Sequence, residues 1–165
     1  MLYIVIVCAL IAADQALKYW TVTHLALGES APFLPGLMQF TRLHNYGAAW
    51  SSLSGKTALL IAVTALLLIA VTVLLMKKIV RHPLGAAGCL LILGGGVGNI
   101  IDRIAHGYVV DMFDLLPFDY PVFNLADCFV VAGVILAAVY YLFIHDKKAT
   151  PKKESGDDSS ADGEN

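Results

Sequence analysis

The sequence predicts an all-α membrane protein, a bundle of four transmembrane helices with a small extracytoplasmic β element and loop. The 165-residue chain is 58% hydrophobic and only 15% charged, whereas about a quarter of the residues in soluble domains are charged. Its mean hydropathy is +0.73. Four nearly uncharged stretches are each long enough to cross roughly 30 Å of hydrocarbon at about 1.5 Å per residue.

The four predicted spans cover residues 2–22, 57–76, 84–101 and 123–144. The second span contains no charged residue and is the clearest of the four. The third is rich in glycine, and Gly94 and Gly98 fit the small-xxx-small pattern that allows transmembrane helices to pack closely. We interpret the first span as a permanent helix and not a cleaved signal, because no Lys or Arg precedes its apolar run and Asp14 interrupts the region of a cleavage site.

Basic residues set the predicted orientation. The second loop carries Lys77, Lys78, Arg81 and His82, and four lysines follow the last span. The positive-inside rule then places both termini in the cytoplasm and two loops, 24–56 and 103–122, outside. We predict one transmembrane domain over residues 1–146 and a disordered cytoplasmic tail over 147–165, whose polar composition cannot bury a core.

The first outer loop is predicted to contain a β element within residues 26–54. Leu37–His44 is rich in β-forming residues, and Pro35 and Gly36 provide a turn signal. We expect a short sheet or ribbon on the outer membrane surface, with Trp50 at headgroup depth. Such an element could hold an extended peptide by strand addition, although a compact loop without a partner fits the sequence equally well.

Charged and strongly polar residues occur at the predicted outer ends of three spans. They are Asp14, Lys18, Asn99, Asp102, Arg103, Asn124 and Asp127, with Asp111 in the second outer loop. A charged residue at the centre of a transmembrane helix costs roughly 2.5 to 3.5 kcal/mol, and less nearer the interface. Their repeated placement on one side of the membrane predicts a reactive or binding site there.

Two of these groups have a specific interpretation on helices. Asp14 and Lys18 are four residues apart and therefore lie on one helix face, where they are expected to form an ion pair that braces the site. Arg103 is placed either to pair with a carboxylate in the cleft or to act as a plain interfacial cap.

Asp111 and Asp127 form the pair with the most definite chemistry. Two carboxyl groups brought together at a low-dielectric boundary share a proton and provide one acid and one base. A water-activating aspartic protease uses this arrangement. From the spacing alone, a transporter or proton channel would look similar, and a scaffold subunit that uses the glycine face also fits.

Other chemistries find less support in the sequence. No HExxH motif is present, no serine lies within a predicted span, and the five histidines are scattered and not grouped as metal ligands. The sequence has no basic stripe or aromatic platform for nucleic acid.

Five sequence blocks resemble those of one family. They are Asp14-Gln15-Ala16-Leu17-Lys18, Asn45-Tyr46-Gly47-Ala48-Ala49-Trp50, Gly98-Asn99-Ile100-Ile101-Asp102-Arg103, Val109-Val110-Asp111 and Phe123-Asn124-Leu125-Ala126-Asp127. In this order they resemble lipoprotein signal peptidase (signal peptidase II), a four-span aspartic peptidase of bacterial membranes. The departures are small: Cys128 stands where serine is expected, and Met112 where phenylalanine is commoner.

The resemblance implies that Asp111 and Asp127 are the catalytic dyad. It also implies a set of supporting residues, namely Asp14, Lys18, Asn45, Gly47, Asn99, Asp102, Arg103, Asn124 and Ala126. The implied substrate is a prolipoprotein with diacylglycerol on its lipobox cysteine, cut on the amino side of that cysteine. The family uses no metal or organic cofactor, contacts membrane lipid and resides in the bacterial cytoplasmic (inner) membrane. We expect the chain to act as a monomer.

Overall fold

The computed structural model describes residues 1–47 and 55–145. Its elements, in chain order, are α1 (Leu2–His24), β1 (Ser30–Leu34), β2 (Met38–Asn45), α2 (Thr57–Met76), α3 (Pro83–His106), β3 (Val109–Leu115) and α4 (Leu125–Tyr140). A π-helical turn, Tyr141–His145, continues α4. Within these two ranges, four helices are long and apolar enough to cross a membrane, so the predicted four-helix membrane fold with a small β element is confirmed. Trp50 and the predicted tail lie outside the described residues.

Two elements differ from the sequence prediction. Helix α3 continues past residue 101 to His106 and ends at Gly107, whose φ of +80° is the left-handed geometry common after a helix C-terminus. The charged residues that suggested an earlier end instead point into the protein. The segment Val109–Leu115, interpreted from sequence as loop, is strand β3.

Helix α3 is the centre of the bundle and packs against the other three helices. Half of the most apolar 18-residue stretch of α3 is buried, whereas 11% or less of the corresponding stretch is buried in each of the other spans. A Cβ atom on Gly94 would contact Leu10 of α1, one on Gly95 the carbonyl oxygen of Ala126 in α4, and one on Gly96 Leu68 of α2. Because successive helical residues point in different directions, the three glycines let three neighbours approach closely. The predicted role of glycine in close packing is therefore confirmed.

The three strands form one antiparallel sheet in the order β1-β2-β3. The N–H of Leu37 donates to the carbonyl oxygen of Leu34 at 3.0 Å and closes the first hairpin. Pro35 and Gly36, with φ of +75° at the glycine, give this turn its type II sequence signature. The sheet lies at the end of the bundle where α1 and α3 finish and α2 and α4 begin, which we call the sheet end.

The segment before α4 pairs with β3 through backbone hydrogen bonds. Phe113 and Phe123 exchange two backbone hydrogen bonds, of 2.7 and 3.1 Å. This pairing brings the first turn of α4 beside β3. It therefore brings together two acidic residues, Asp111 and Asp127, that are 16 positions apart in sequence.

The glycine packing gives a direct test. We expect Gly95→Ala to destabilise the protein by about 1–3 kcal/mol, as overpacking does, because the new methyl group would meet the rigid backbone oxygen of Ala126. The adjacent Gly96→Ala should cost less, since its methyl group meets only the flexible end of Leu68. Thermal unfolding in detergent would measure both variants. Equal destabilisation would contradict this account of helix packing.

Candidate active site

Asn124 contacts both acidic groups of the predicted pair. Its Nδ2 donates to Oδ1 of Asp111 at 2.7 Å. Its Oδ1 accepts from the backbone N–H of Asp127 at 2.9 Å, and its own backbone N–H donates to Oδ2 of Asp127 at 3.2 Å. The last two bonds form a capping box at the start of α4. A single helix cap, 1% exposed, therefore fixes the positions of two carboxyl groups.

Asp111 lies on β3 and is 2% exposed. Its Oδ2 accepts a 2.9 Å hydrogen bond from Nδ2 of Asn45, which is its diagonal neighbour on β2. Burial and, next, the nearby carboxylate of Asp127 raise the pKa of Asp111 to about 7. The amide hydrogen bonds oppose this rise but do not cancel it. Asp111 is therefore a carboxyl group that can hold a proton near neutral pH.

Asp127 lies in the first turn of α4 and is half-buried. Its Oδ1 accepts a 2.8 Å hydrogen bond from Nδ2 of Asn99 on α3. The other end of the Asn99 amide accepts a 2.9 Å hydrogen bond from Nζ of Lys18 on α1. Asn99 thus connects the exposed side of the site to a charged cluster beneath it.

The charged cluster is centred on Lys18. Its ammonium group lies 2.9 Å from Oδ2 of Asp14 and 3.0 Å from Oδ2 of Asp102, and these side chains are 4% exposed or less. With the bond to Asn99, all three ammonium donors are used. The ion pair predicted between Asp14 and Lys18 is confirmed, and Asp102 joins it. Buried ion pairs are stable only when their remaining hydrogen bonds are made, and here they are.

The same cluster holds the backbone next to each acidic residue of the pair. Oδ1 of Asp14 accepts a 2.9 Å hydrogen bond from the N–H of Ala126, which precedes Asp127. Oδ2 of Asp102 accepts a 3.1 Å hydrogen bond from the N–H of Val110, which precedes Asp111. Ala126 therefore takes part in the site through its backbone.

Gln15 belongs to this cluster, although it was not among the predicted site residues. Its Nε2 lies 3.2 Å from Oδ2 of Asp14, 3.0 Å from Oδ1 of Asp102 and 3.2 Å from the carbonyl oxygen of Gly98. The available signal was a third polar residue in an otherwise apolar span. Gly98 leaves room for the cluster, because a Cβ atom there would lie 2.6 Å from Oδ2 of Asp14.

Arg103 does not make the carboxylate pair that was one of its two expected roles. Its guanidinium donates to the carbonyl oxygens of Gly47 at 3.0 Å and Asn99 at 3.5 Å, and no carboxylate of residues 1–47 or 55–145 lies within 4.0 Å of it. The neighbouring carboxyl groups already accept bonds from asparagines and Lys18. Arg103 instead holds Gly47, whose N–H in turn donates to Oδ1 of Asn45 at 2.9 Å.

An apolar groove of about 440 Å³ leads away from Asp127 along α4. Its walls include Leu115, Phe123, Cys128, Val131, Ala132 and Ile135. A carboxyl group at one end of an apolar groove can act on a polar bond of a molecule whose apolar part lies in that groove. Within residues 1–47 and 55–145, no group of three His, Cys, Asp or Glu side chains is arranged to hold a metal ion.

The sequence is similar to those of known proteins over most of its length. A lipoprotein signal peptidase of Enterococcus faecalis is 37% identical over 154 residues, which cover 93% of this chain and 94% of the relative. One from Streptococcus pyogenes serotype M6 is 38% identical over 138 residues, covering 84% and 91% of the two chains.

Solved structures are similar over most of their length. One, described as a bacterial membrane enzyme determined by the in meso method at 2.3 Å resolution, matches with a TM-score of 0.82 and 32% identity, covering 92% of this chain and 93% of that chain. A second of the same description, at 1.9 Å resolution, gives 0.79 and 33%, covering 86% and 93%. The family model described as Signal peptidase (SPase) II matches residues 6–143. Since that match spans most of the chain, the chain belongs to the signal peptidase II family.

Proposed function

We propose that this membrane peptidase removes signal peptides from prolipoproteins by aspartic catalysis, with Asp111 and Asp127 as the catalytic dyad. The observation that carries the proposal is the double contact of Asn124, which donates to one carboxyl group and caps the helix turn that bears the other. Family membership supports the reaction. The pKa of Asp111, near 7, supports the acid–base chemistry.

In the proposed mechanism, one proton is shared by the two carboxyl groups. The ionised group takes a proton from a water molecule between them, and this water attacks the scissile carbonyl carbon. The protonated group donates a hydrogen bond to the carbonyl oxygen and stabilises the developing negative charge. The roles belong to the pair, because the protonation of coupled carboxyl groups cannot be divided between them.

The hydrogen bonds from the asparagines leave acceptor sites on both carboxyl groups for this chemistry. Among residues 1–47 and 55–145, each oxygen of the dyad accepts one hydrogen bond, from Asn45, Asn99 or Asn124. A carboxylate has about four acceptor sites, so each group retains capacity for water and substrate. The supporting role proposed for Asp14, Lys18, Asp102 and Arg103 is to hold this arrangement.

The groove beside Asp127 suggests how a lipidated substrate would bind. We propose that the substrate cysteine carries diacylglycerol and that an acyl chain lies along α4 against Val131, Ala132 and Ile135. An apolar groove open to the bilayer lets the chain enter sideways without crossing water. The peptide bond on the amino side of the cysteine would then lie at the dyad.

We propose that the sheet end faces outward from the bacterial cytoplasmic membrane and that both termini are cytoplasmic. The loop at the other end of the bundle carries Lys77, Lys78 and Arg81, as the positive-inside rule requires of a cytoplasmic loop. We also propose a monomer whose peptidase domain spans residues 1–146.

The first prediction concerns the dyad. Asp111→Asn or Asp127→Asn should reduce cleavage of a diacylglyceryl prolipoprotein by about 10²–10⁴-fold, the usual contribution of a general acid or base. A gel shift of the substrate with purified protein in detergent measures this. The matched control is Asp114→Asn on the same strand, whose carboxyl group accepts from Gln39 and Thr41 and should be dispensable. Full activity of either dyad variant in folded protein would end the proposal.

The second prediction concerns pH. Asp111 holds its proton more tightly in the folded chain, with a pKa of about 7 against an ordinary 3.8. Folding stability from this group is therefore greatest at low pH and declines as pH rises from about 4 to about 7. Asp111→Asn should flatten that decline in thermal unfolding between about pH 4 and pH 7, whereas Asp114→Asn should keep it. An unchanged slope in Asp111→Asn would show that Asp111 does not carry a raised pKa.

The third prediction concerns the groove. Val131 and Val134 lie on α4 and are similarly exposed, 55% and 53%, but only Val131 is among the residues that line the groove. Val131→Trp should lower kcat/KM for a diacylated prolipoprotein about tenfold, or roughly 1.4 kcal/mol, chiefly by raising KM. Val134→Trp should have little effect. If both variants behave alike in steady-state assays, the acyl chain does not bind in this groove.

A further inference from the structure

Three exposed cations occupy the loop between α2 and α3, at the end of the bundle opposite the sheet. They are Lys77, Lys78 and Arg81. No carboxylate of the described ranges, 1–47 and 55–145, lies within 4.0 Å of them. The Nε of Arg81 donates to the carbonyl oxygen of Lys78 at 3.0 Å, which keeps the two side chains on one short turn. Within those ranges, the loop is a compact positive surface with no counter-charge beside it.

The backbone of this loop places a lysine where glycine is usual. Helix α2 ends in a Schellman motif, in which the N–H of Lys78 donates to Leu75 and the N–H of Ile79 donates to Leu74, both at 3.0 Å. Lys78 occupies the left-handed position of that motif, with φ of +53°. A side chain at that position carries a conformational cost that glycine avoids. The cost points to a use for the lysine side chain itself.

An apolar groove of about 560 Å³ begins beside the same loop. It runs between α1, α2 and α3 from Tyr3 and Met76 toward Val97, past Val7 and Leu93. Met76 both lines the groove and directly precedes Lys77. The one hydroxyl on the α2 wall, that of Thr72, already donates to Leu68 at 2.8 Å. Apart from the hydroxyl of Tyr3 and the thiol of Cys8 on α1, the remaining lining is apolar, so the groove offers its occupant mainly apolar contacts.

We propose that this loop and groove bind an anionic phospholipid. The phosphate would lie against Lys77, Lys78 and Arg81, and one acyl chain would fill the groove. The groove lies between membrane-spanning helices, so a lipid chain reaches it directly. The adjoining cations favour an anionic headgroup over a zwitterionic one. The site is at the opposite end of the bundle from the dyad, and it does not depend on the proposed peptidase mechanism.

Native mass spectrometry of the full chain, released from detergent micelles, tests the proposal. The probes are phosphatidylglycerol and phosphatidylcholine with identical acyl chains, supplied in equal amounts. Phosphatidylglycerol adducts should predominate. The triple variant Lys77→Gln, Lys78→Gln, Arg81→Gln should retain at least tenfold less phosphatidylglycerol, since each cation near an anionic lipid contributes about fivefold. Lys56→Gln, which removes one positive charge at the sheet end, is the control for position and should behave like the wild type, whereas Lys78→Gln alone, which removes the same charge at the loop, should lower phosphatidylglycerol retention about fivefold.

A second pair of variants tests the groove without changing charge. Val7→Trp fills it from α1 and should also lower phosphatidylglycerol retention about tenfold, whereas Val5→Trp, on the same helix but 60% exposed and not a lining residue, should not. If Val7→Trp does not fold, Leu93→Phe fills the groove from α3. Equal retention of the two lipids, or wild-type retention in either the triple or the groove-filling variant, would overturn the proposal. Prolipoprotein cleavage is a separate readout, and all of these variants should retain this activity.

Discussion

The site depends on one buried cation. Lys18 forms ion pairs with both Asp14 and Asp102, and each of these carboxylates also accepts a hydrogen bond from the backbone N–H immediately before a residue of the proposed dyad. The positions of Asp111 and Asp127 are thus set by the same ammonium group. Removing one partner from a buried ion pair typically costs about 3–5 kcal/mol. This buried charge is useful because it positions the start of β3 and the start of α4 together.

The glycines of α3 and the ionic cluster solve a single packing problem. Charged side chains in a bilayer must face the bundle interior and find partners there. Gly98 leaves the space that the carboxylate of Asp14 occupies, and Gly95 lets α4 approach until its first turn reaches α1. With larger side chains at these positions, α1, α3 and α4 could not approach closely enough to form this cluster.

The sequence was sufficient for features that depend on local composition. Thr57–Met76 was predicted at its observed bounds because an uncharged run of that length has one stable solution in lipid. Features set by tertiary partners were missed. Strand β3 exists because β2 supplies its hydrogen bonds. Arg103 donates to the carbonyl oxygen of Gly47, 56 positions away, which no local sequence pattern indicates. Gln15 gave no sign that it would meet Asp102, 87 positions away.

The distribution of polar groups bears on the alternative of a proton or ion pathway. Such a pathway needs ionisable or hydrated groups across the whole membrane. Here the charged cluster stops at the level of Asp14 and Asn99. Toward the opposite end, α2 carries no charged residue, α3 has none before Asp102, and α1 has none before Asp14. A site open at one face and closed by an apolar bundle beneath it suits a reaction at the membrane surface, in which substrate arrives and leaves on the same side.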